Sequence, residues 1–534
     1  LFAPPILAAP IDVGNPDLKI LWDNTVKYST AVRVGSPSDT TTAPAFGFFA
    51  NGDDGDRSIK QGGQISNRFD LLSEMDISYR GYGLRVSGAA WYDSIYWRGH
   101  TDNDSPSTYN PYSVGNNTFN AAAQRLHGLN AELLDAFVFG KSEIGNTNLT
   151  YRLGQHTVVW GETLFMGANG IAAAQAPIDI AKAASVPNTQ FKELMRPVPQ
   201  VSMQWQVNPE LALSVYYQFA WVPNRFPAAG TYFSPVDFFA EGGERLLVGQ
   251  PNGASNGNAL ALWRISDRKA SSQGQGGVAV KYRYSDYDLG LYAVNYHEKS
   301  PQIYTMAGVN TNIGVGKVGQ FQWVYPEDIH SVGVSANTTF GNYNIGFETS
   351  VRMNMPLDSD AADNSSGNGD NKDSPLYAVG NTYHANLNTL ASLGPSFISR
   401  EADFLAELGY NRLINVTKNR NILNLRATHD AANVRFVYEP KYRQVLPGLD
   451  LSVPVGTGYG FLGNSAMVGA FNGDGVGDFN IGINATYLDV WRAGLSYTHF
   501  YGDAANFWDV NGHRSYGQVQ ADRDFVAFNI RRTF

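Results

Sequence analysis

Apolar residues in this chain step by two through one short segment after another, and the links between segments alternate strictly between short and long. A period of two gives a strand two unlike faces, and helical periodicity is almost absent. The stepping runs through Val26, Tyr28, Val32 and Val34; Met75, Ile77 and Tyr79; Leu84, Val86, Ala90 and Tyr92; and Leu211, Leu213, Val215, Tyr217, Phe219 and Trp221. It continues to Phe479, Ile481, Ile483 and Tyr487, then to Val526, Phe528, Ile530 and Phe534, with a weaker segment from Thr382 to Ala391. About 18 strands result, within a range of roughly 16 to 20, each near the ~9 to 11 residues that cross a bilayer when tilted. Links such as Gly81-Tyr82, Asn208-Pro209-Glu210, Gly341-Asn342 and Asp489-Val490 are short, and the next link is long each time. Sandwiches and propellers have no cause to lengthen every second loop. A transmembrane antiparallel up-and-down β-barrel does, with short periplasmic turns and long extracellular loops.

In hydrocarbon every backbone N–H and C=O must pair within the sheet, so the sheet has to close, with one face toward lipid and the other toward the lumen. The off-phase residues Arg85, Asp135, Arg152, Lys281, Arg283, Glu348, Arg352, Glu407 and Arg435 are therefore expected to point inward. Trp22, Tyr92, Trp97, Trp221, Tyr296, Tyr487 and Trp491 stand where aromatic girdles would meet the interfaces. The last strand, ending in Phe534, resembles the C-terminal assembly signal of bacterial outer-membrane proteins. Arg532 departs from it, because an apolar residue is usual there.

Composition narrows the function classes. A formal net charge of -9 without basic clusters offers no footprint for a nucleic-acid backbone. There is no cysteine, which removes disulfides, thiolate metal sites and Cys nucleophiles together. No run of about 18 uncharged apolar residues occurs, so a transmembrane helix is not expected. The opening LFAPPILAAPIDV reads either as the tail of an export signal or as a mature start, which divides the chain into an N-terminal segment 1–17 and one barrel, 18–534. The nine His residues form no HExxH and no metal-ligand spacing, and no GxSxG elbow is present. A barrel hydrolase needs no such local motif, but the expectation is a protein that is not an enzyme and has no resident cofactor.

Two loops stand out by length. Segment 157–200 is weakly charged and carries Trp160, Glu162, Leu164, Phe165 and Met166, followed by a helix-prone stretch broken at Pro177. It is expected to fold inward as a hatch held by ion pairs to the wall, and the bland alternative is an external cap. Segment 222–276 carries Phe226, Tyr232, Phe233, Phe238 and Phe239, expected as exposed aromatics that gather apolar ligand at the mouth, or else as a structural cluster. The expected substrate path thus takes in Arg85, Trp91, Asp135, Arg152, Trp160, Glu162, Phe165, Met166, Arg283, Glu348, Arg352, Glu407 and Arg435. Residues 471–478, FNGDGVGD, resemble a calcium loop of propeller repeats, yet Ala470 occupies the first carboxylate position, and an acidic loop tip reads better than calcium. The acidic stretch Asp358 to Asp373 is expected as a mobile surface loop that could bridge divalent cations to lipopolysaccharide.

Several stretches are similar to the bacterial outer-membrane family catalogued as domain of unknown function 1302. They are Gly154-Gln155-His156 with Trp160-Gly161-Glu162, Lys192-Glu193-Leu194 with Arg196-Pro197-Val198-Pro199, and the Tyr217 to Trp221 strand. Tyr442 to Asp450, Leu495 to Phe500 and Ala521 to Phe525 extend the resemblance over essentially the whole chain. It implies a Gram-negative outer-membrane barrel, and, from the family's association with lipid pumps and hydrophobic-compound pathways, traffic of apolar small molecules or lipids. The same wall suits an open porin for polar solutes. A third reading is a docking partner for a periplasmic carrier and an inner-membrane lipid pump.

Overall fold

The computed structural model describes residue 11 and residues 13–42, 48–187, 189 and 191–534, so what was expected of residues 1–10 lies outside the described residues. Its main sheet is a ring of antiparallel strands in chain order. From Leu18–Arg33, Gln64–Tyr79, Tyr82–Asp93, Leu129–Ile144, Thr147–His156 and Val198–Gln206 it passes to Leu211–Gln218, Gly276–Tyr284 and Tyr287–Tyr296. It goes on through Ile329–Phe340, Tyr343–Pro356, Val379–Leu393, Glu401–Lys418 and Asp430–Leu446. The next strand is broken by Val453-Pro454 into Leu449–Ser452 and Val455–Leu462, and both pieces lie between the same neighbours, Asp430–Leu446 and Gly477–Tyr487. Trp491–Tyr501 and Phe525–Thr533 complete eighteen strands, and Phe525–Thr533 pairs back onto Leu18–Arg33 with Thr533 opposite Thr25. The sheet has no edge, as a wall in lipid requires.

The alternation expected from the sequence sets the two faces. On Tyr287–Tyr296, Leu289 and Leu291 are exposed on the outer face while Tyr292, Val294 and Tyr296 are buried inside. Trp22, Tyr92, Trp97, Tyr487 and Trp491 are exposed, as a girdle needs. Trp221 and Tyr296 are not: Tyr296 has the inward parity of its strand, and Trp221 lies beyond its strand, edge-on to Tyr325 at 4.7 Å. Arg532 keeps its outward place by laying its guanidinium over the Trp491 ring, 5.1 Å from the centroid, so its stem stays apolar and its charge stays near the interface.

Short turns close one end of the barrel. At 80–81 both Arg80 (φ 48°) and Gly81 (φ 86°) are left-handed, the combination a two-residue hairpin needs to follow strand twist. The other end carries the long loops, and here the structure adds something the period-2 reading missed. Arg245–Gly249, Leu260–Arg264, Gln302–Asn312, Lys317–Val324 and Ala362–Asp363 form a second, five-stranded sheet drawn from three loops. Tyr232, Phe233 and Phe238 are buried rather than exposed. Phe238 stacks on Trp323 (5.6 Å between centroids) and packs against Phe321 and Trp508. A cap with its own core buries these rings because exposed, they would cost transfer free energy. The acidic stretch after Asp358 is likewise engaged: Asp358 accepts from the Tyr516 hydroxyl and faces Arg514 at 3.6 Å, and Asp360 pairs with His513 at 2.8 Å.

Candidate functional site

Segment 157–197 enters the barrel. Among its described residues the helices are short, Ile171–Ala174, Ile180–Ser185 and Phe191–Leu194, so much of that main chain has no partner of its own. Irregular backbone enclosed by a membrane barrel must find those partners in the wall. Glu407 supplies them for one turn: its Oε2 accepts the amides of Leu164 (3.1 Å), Phe165 (2.5 Å) and Met166 (3.0 Å), while its Oε1 accepts from Asn386 Nδ2 at 2.7 Å. Glu348 accepts the amides of Glu162 (2.5 Å) and Ile171 (2.8 Å). Arg352 answers the carbonyls, donating to Ala168 (3.2 Å), Asn169 (2.7 Å) and Gly170 (2.8 Å). All three wall residues are at most 2% exposed. Gly161, at φ 99°, lets the chain come this close, since a Cβ there would collide with the Glu348 carboxylate.

Asn169 sits at the centre of the clamp. Its Nδ2 donates to Asn386 Oδ1 at 2.7 Å and to the Ala385 and Tyr410 carbonyls, and its Oδ1 takes His384 Nδ1 at 2.9 Å and Asn411 Nδ2 at 3.3 Å. Glu162 accepts from Ser335 (3.3 Å) and Asn337 (3.1 Å) and offers its carbonyl to Asn388. Trp160 is buried edge-on to Tyr216 (4.9 Å) and near Tyr292 (5.9 Å).

The second half of the segment reaches a different wall. Asp179 caps the helix Ile180–Ser185 by accepting from Lys182 N at 2.8 Å, and also pairs with Arg225 at 2.8 Å. Arg225 pairs with Glu132 at 2.6 Å, Lys182 lies 3.9 Å from the same Glu132, and Lys192 pairs with Glu74. Trp91 lies beneath Arg68 (5.0 Å) and Lys182 (5.1 Å) as a cation–π partner of both. Glu74 and Glu132 stand on the second and fourth strands, Glu348 and Glu407 on the eleventh and thirteenth. Each pairing is nine strands apart in a ring of eighteen, so the segment is a strap across the lumen, tied at opposite walls.

The strap leaves one side open. Between its helical half and the strands near the C-terminus lies a cavity of about 300 Å³. Ala183, Ala184, Ser185, Val186, Pro187, Thr189 and Leu194 line the strap side, and Asn480, Asn484, Ser496 and Thr498 line the wall with Pro454, Gly482 and Phe525, with no charged residue among the described lining.

Of the residues expected along the path, Trp160, Glu162, Phe165, Met166, Glu348, Arg352 and Glu407 are gathered at the strap. The wall residues among them grip main chain by hydrogen bonds, and the ion pairs expected of them fall instead to Lys182, Lys192 and Arg225. Arg85 and Asp135 join the strap's second tie through Glu74, Arg85 pairing with Asp135 (3.1 Å), Glu74 (2.6 Å) and Asp76 while Lys192 takes the other Glu74 oxygen. Arg435 pairs with Asp478, Arg283 with Asp288 at 2.7 Å, and Arg152 lies over the Phe137 ring at 5.6 Å. Sequence reasoning missed Asn169, His384, Asn386, Asn411 and the uncharged cavity wall. The off-phase run Thr382, His384, Asn386, Asn388 was the signal, since a strand whose inner face is wholly hydrogen-bonding reads as weak only by hydropathy.

A family model described as "Protein of unknown function (DUF1302)" matches residues 1–534. No curated protein matches. Among solved structures, the outer membrane channel DcaP of Acinetobacter baumannii is similar at 9% identity and TM-score 0.38, covering 99% of this chain and 100% of that one. The outer membrane protein opdK from Pseudomonas aeruginosa is similar at 10% identity and TM-score 0.42, covering 96% and 98%. A BenF-like porin from Pseudomonas fluorescens Pf-5 is similar at 10% identity and TM-score 0.43, covering 97% and 98%.

Proposed function

This chain belongs to the DUF1302 family, and from its closed barrel and internal strap we propose that it is a non-enzymatic outer-membrane channel for small, uncharged, largely apolar solutes. The observation that carries the reading is the cavity beside the strap. Its strap face, apolar but for Ser185 and Thr189, lies opposite a face rich in amides and hydroxyls and suits a solute with a hydrophobic body and one or two neutral polar groups. A charged solute would lose hydration there without gaining a counter-charge. At about 300 Å³ the cavity is at the small end of ligand pockets, which favours a single small molecule over a two-chain lipid. The strap then narrows the lumen to this eccentric passage, while the charged pairs of the wall neutralise one another.

The test is solute flux into liposomes holding the purified, folded barrel, run beside single-channel conductance. Small, infrequent conductance steps with entry of a neutral aromatic solute, and a large conductance gain on deleting residues 165–186, are expected. Large stable steps in the intact protein, with charged and neutral solutes entering alike, would instead establish an open porin for polar solutes.

A further inference from the structure

Three carboxylates that the channel does not use converge inside the extracellular cap. Asp53 and Asp54 stand on loop 34–63 and Asp237 on loop 219–275, and none is more than 1% exposed. One oxygen from each lies within 4.8 Å of the other two. That is the span between two ligands on opposite sides of a calcium ion at about 2.4 Å from each.

The surrounding protein leaves them short of positive charge. Asp53 Oδ2 takes Arg57 Nε at 2.7 Å and the Thr108 hydroxyl at 3.0 Å; Asp54 takes Asn103 Nδ2 at 2.9 Å and the Asn110 amide at 3.0 Å; Asp237 Oδ2 takes the Asp54 amide at 3.1 Å. Asp53 Oδ1 and Asp237 Oδ1 are shielded from solvent and have no donor, and Asn110 Oδ1, on a wholly buried side chain beside them, has none either. The contacts of the neighbouring cations lie elsewhere. Arg523 pairs with Asp56 at 2.8 Å and donates to the Tyr232 and Ser234 carbonyls, while Arg245 donates to the Tyr109, Asn110 and Pro111 carbonyls. Among the described residues, the three buried carboxylates thus have one guanidinium, Arg57, in direct contact, with Arg523 acting on Asp237 only at longer range, and buried charge left so short of compensation is strongly unfavourable. Burial raises all three carboxyls, Asp53 to about 6, and neighbouring carboxylates push Asp54 and Asp237 further up.

We infer that Asp53, Asp54 and Asp237 form a divalent-cation site of the calcium type, which ties loop 34–63 to loop 219–275 and, through Asn103, Thr108 and Asn110, to loop 94–128. Oxygen-only donors, a high carboxylate count and a loop setting suit calcium better than the strict octahedron of magnesium. It would hold the cap over the barrel mouth.

Equilibrium dialysis of the chelator-stripped, refolded barrel against calcium chloride tests it, with heat-modifiable gel mobility as the control for folding. One more calcium per chain in the wild type than in D54N/D237N, with slower protease cleavage of loop 34–63 in calcium than in chelator, supports the site. Equal calcium in the two folded proteins overturns it and means that the carboxyls are kept protonated. Should the double variant not fold, the wild type decides alone: no bound calcium and no calcium-dependent protection at pH 7.5 would equally overturn it.

Discussion

Glu407 holds the backbone amide of Phe165 at 2.5 Å, a wall carboxylate gripping the main chain of the strap rather than any of its side chains. The same oxygen also holds the amides of Leu164 and Met166. Glu407→Ala removes all three charge-assisted bonds, each worth about 1.5 to 3 kcal/mol. Single-channel recording should show conductance rising several-fold with frequent flicker, and Glu407→Gln, which keeps the shape but loses the charge, should fall between. Identical traces from the three proteins would refute a strap held at this point.

Arg352 is the donor counterpart. Arg352→Met keeps much of the packing but strands the Ala168, Asn169 and Gly170 carbonyls, at a cost of about 1 to 3 kcal/mol for each buried acceptor left bare. Limited proteolysis of the folded barrel should then cut between 160 and 171 at least about tenfold faster, as the locally open population grows with the lost free energy. An unchanged cleavage pattern would place the strength of the clamp elsewhere.

The cavity can be filled from the wall. Ser496→Trp sends an indole into the space between the strap and the strands near the C-terminus, and should lower uptake of a neutral aromatic solute by about tenfold or more. Asn480→Asp should act differently, admitting cations while slowing the neutral solute. Undiminished neutral uptake in the tryptophan variant would rule this passage out.

Acid should loosen the cap through His127. Its Nε2 accepts the Ala228 amide at 3.1 Å, a bond only the neutral ring can make, and burial beside Arg68 and Arg225 lowers its pKa to about 3. The unfolded ring takes a proton below pH 6.5 while the folded one does not, so stability from this site is present above pH 6.5 and is lost as pH falls toward 3. The slope is at most about 1.4 kcal/mol per pH unit. Hydrogen exchange at Ala228 should accelerate across that window and flatten in His127→Gln; a pH-independent exchange free energy in the wild type would contradict it.

The barrel was legible because lipid imposes one rule on every strand: outward residues must be apolar and the backbone fully paired, so period and link length alone give about 18 strands, and the structure has eighteen. The strap was legible in part. Trp160, Phe165 and Met166 mark an apolar loop that water would not favour, and Glu348, Arg352 and Glu407 mark charges on a lumen face. Their meeting was not legible, because a carboxylate that binds amides leaves no side-chain partner in the sequence to look for. The cap sheet was missed for a related reason. Its short strands come from separate loops and pair across long sequence distances, as Phe321 with Arg264 and Tyr304 with Ala362, so no local alternation announces them. Phe238 and Phe239 then read as exposed when they pack in the core of that sheet, and Tyr232 and Phe233 when they pack in a second cluster with Tyr96, Phe119 and Phe525.

The hydroxyls of Thr25 and Thr533 meet at 2.8 Å across the seam, 508 residues apart along the chain. Joining such distant ends costs little at equilibrium, because loop-closure entropy grows only with the logarithm of length, about 0.6 kcal/mol per doubling. The burden is on time. Contacts of this range form slowly. Until Phe525–Thr533 seats beside Leu18–Arg33, both strands offer bare edges to any other strand, including those of another copy. The seam is therefore the step at which assembly is most exposed to error, and at which a helper that shields or templates the last strand would have most effect.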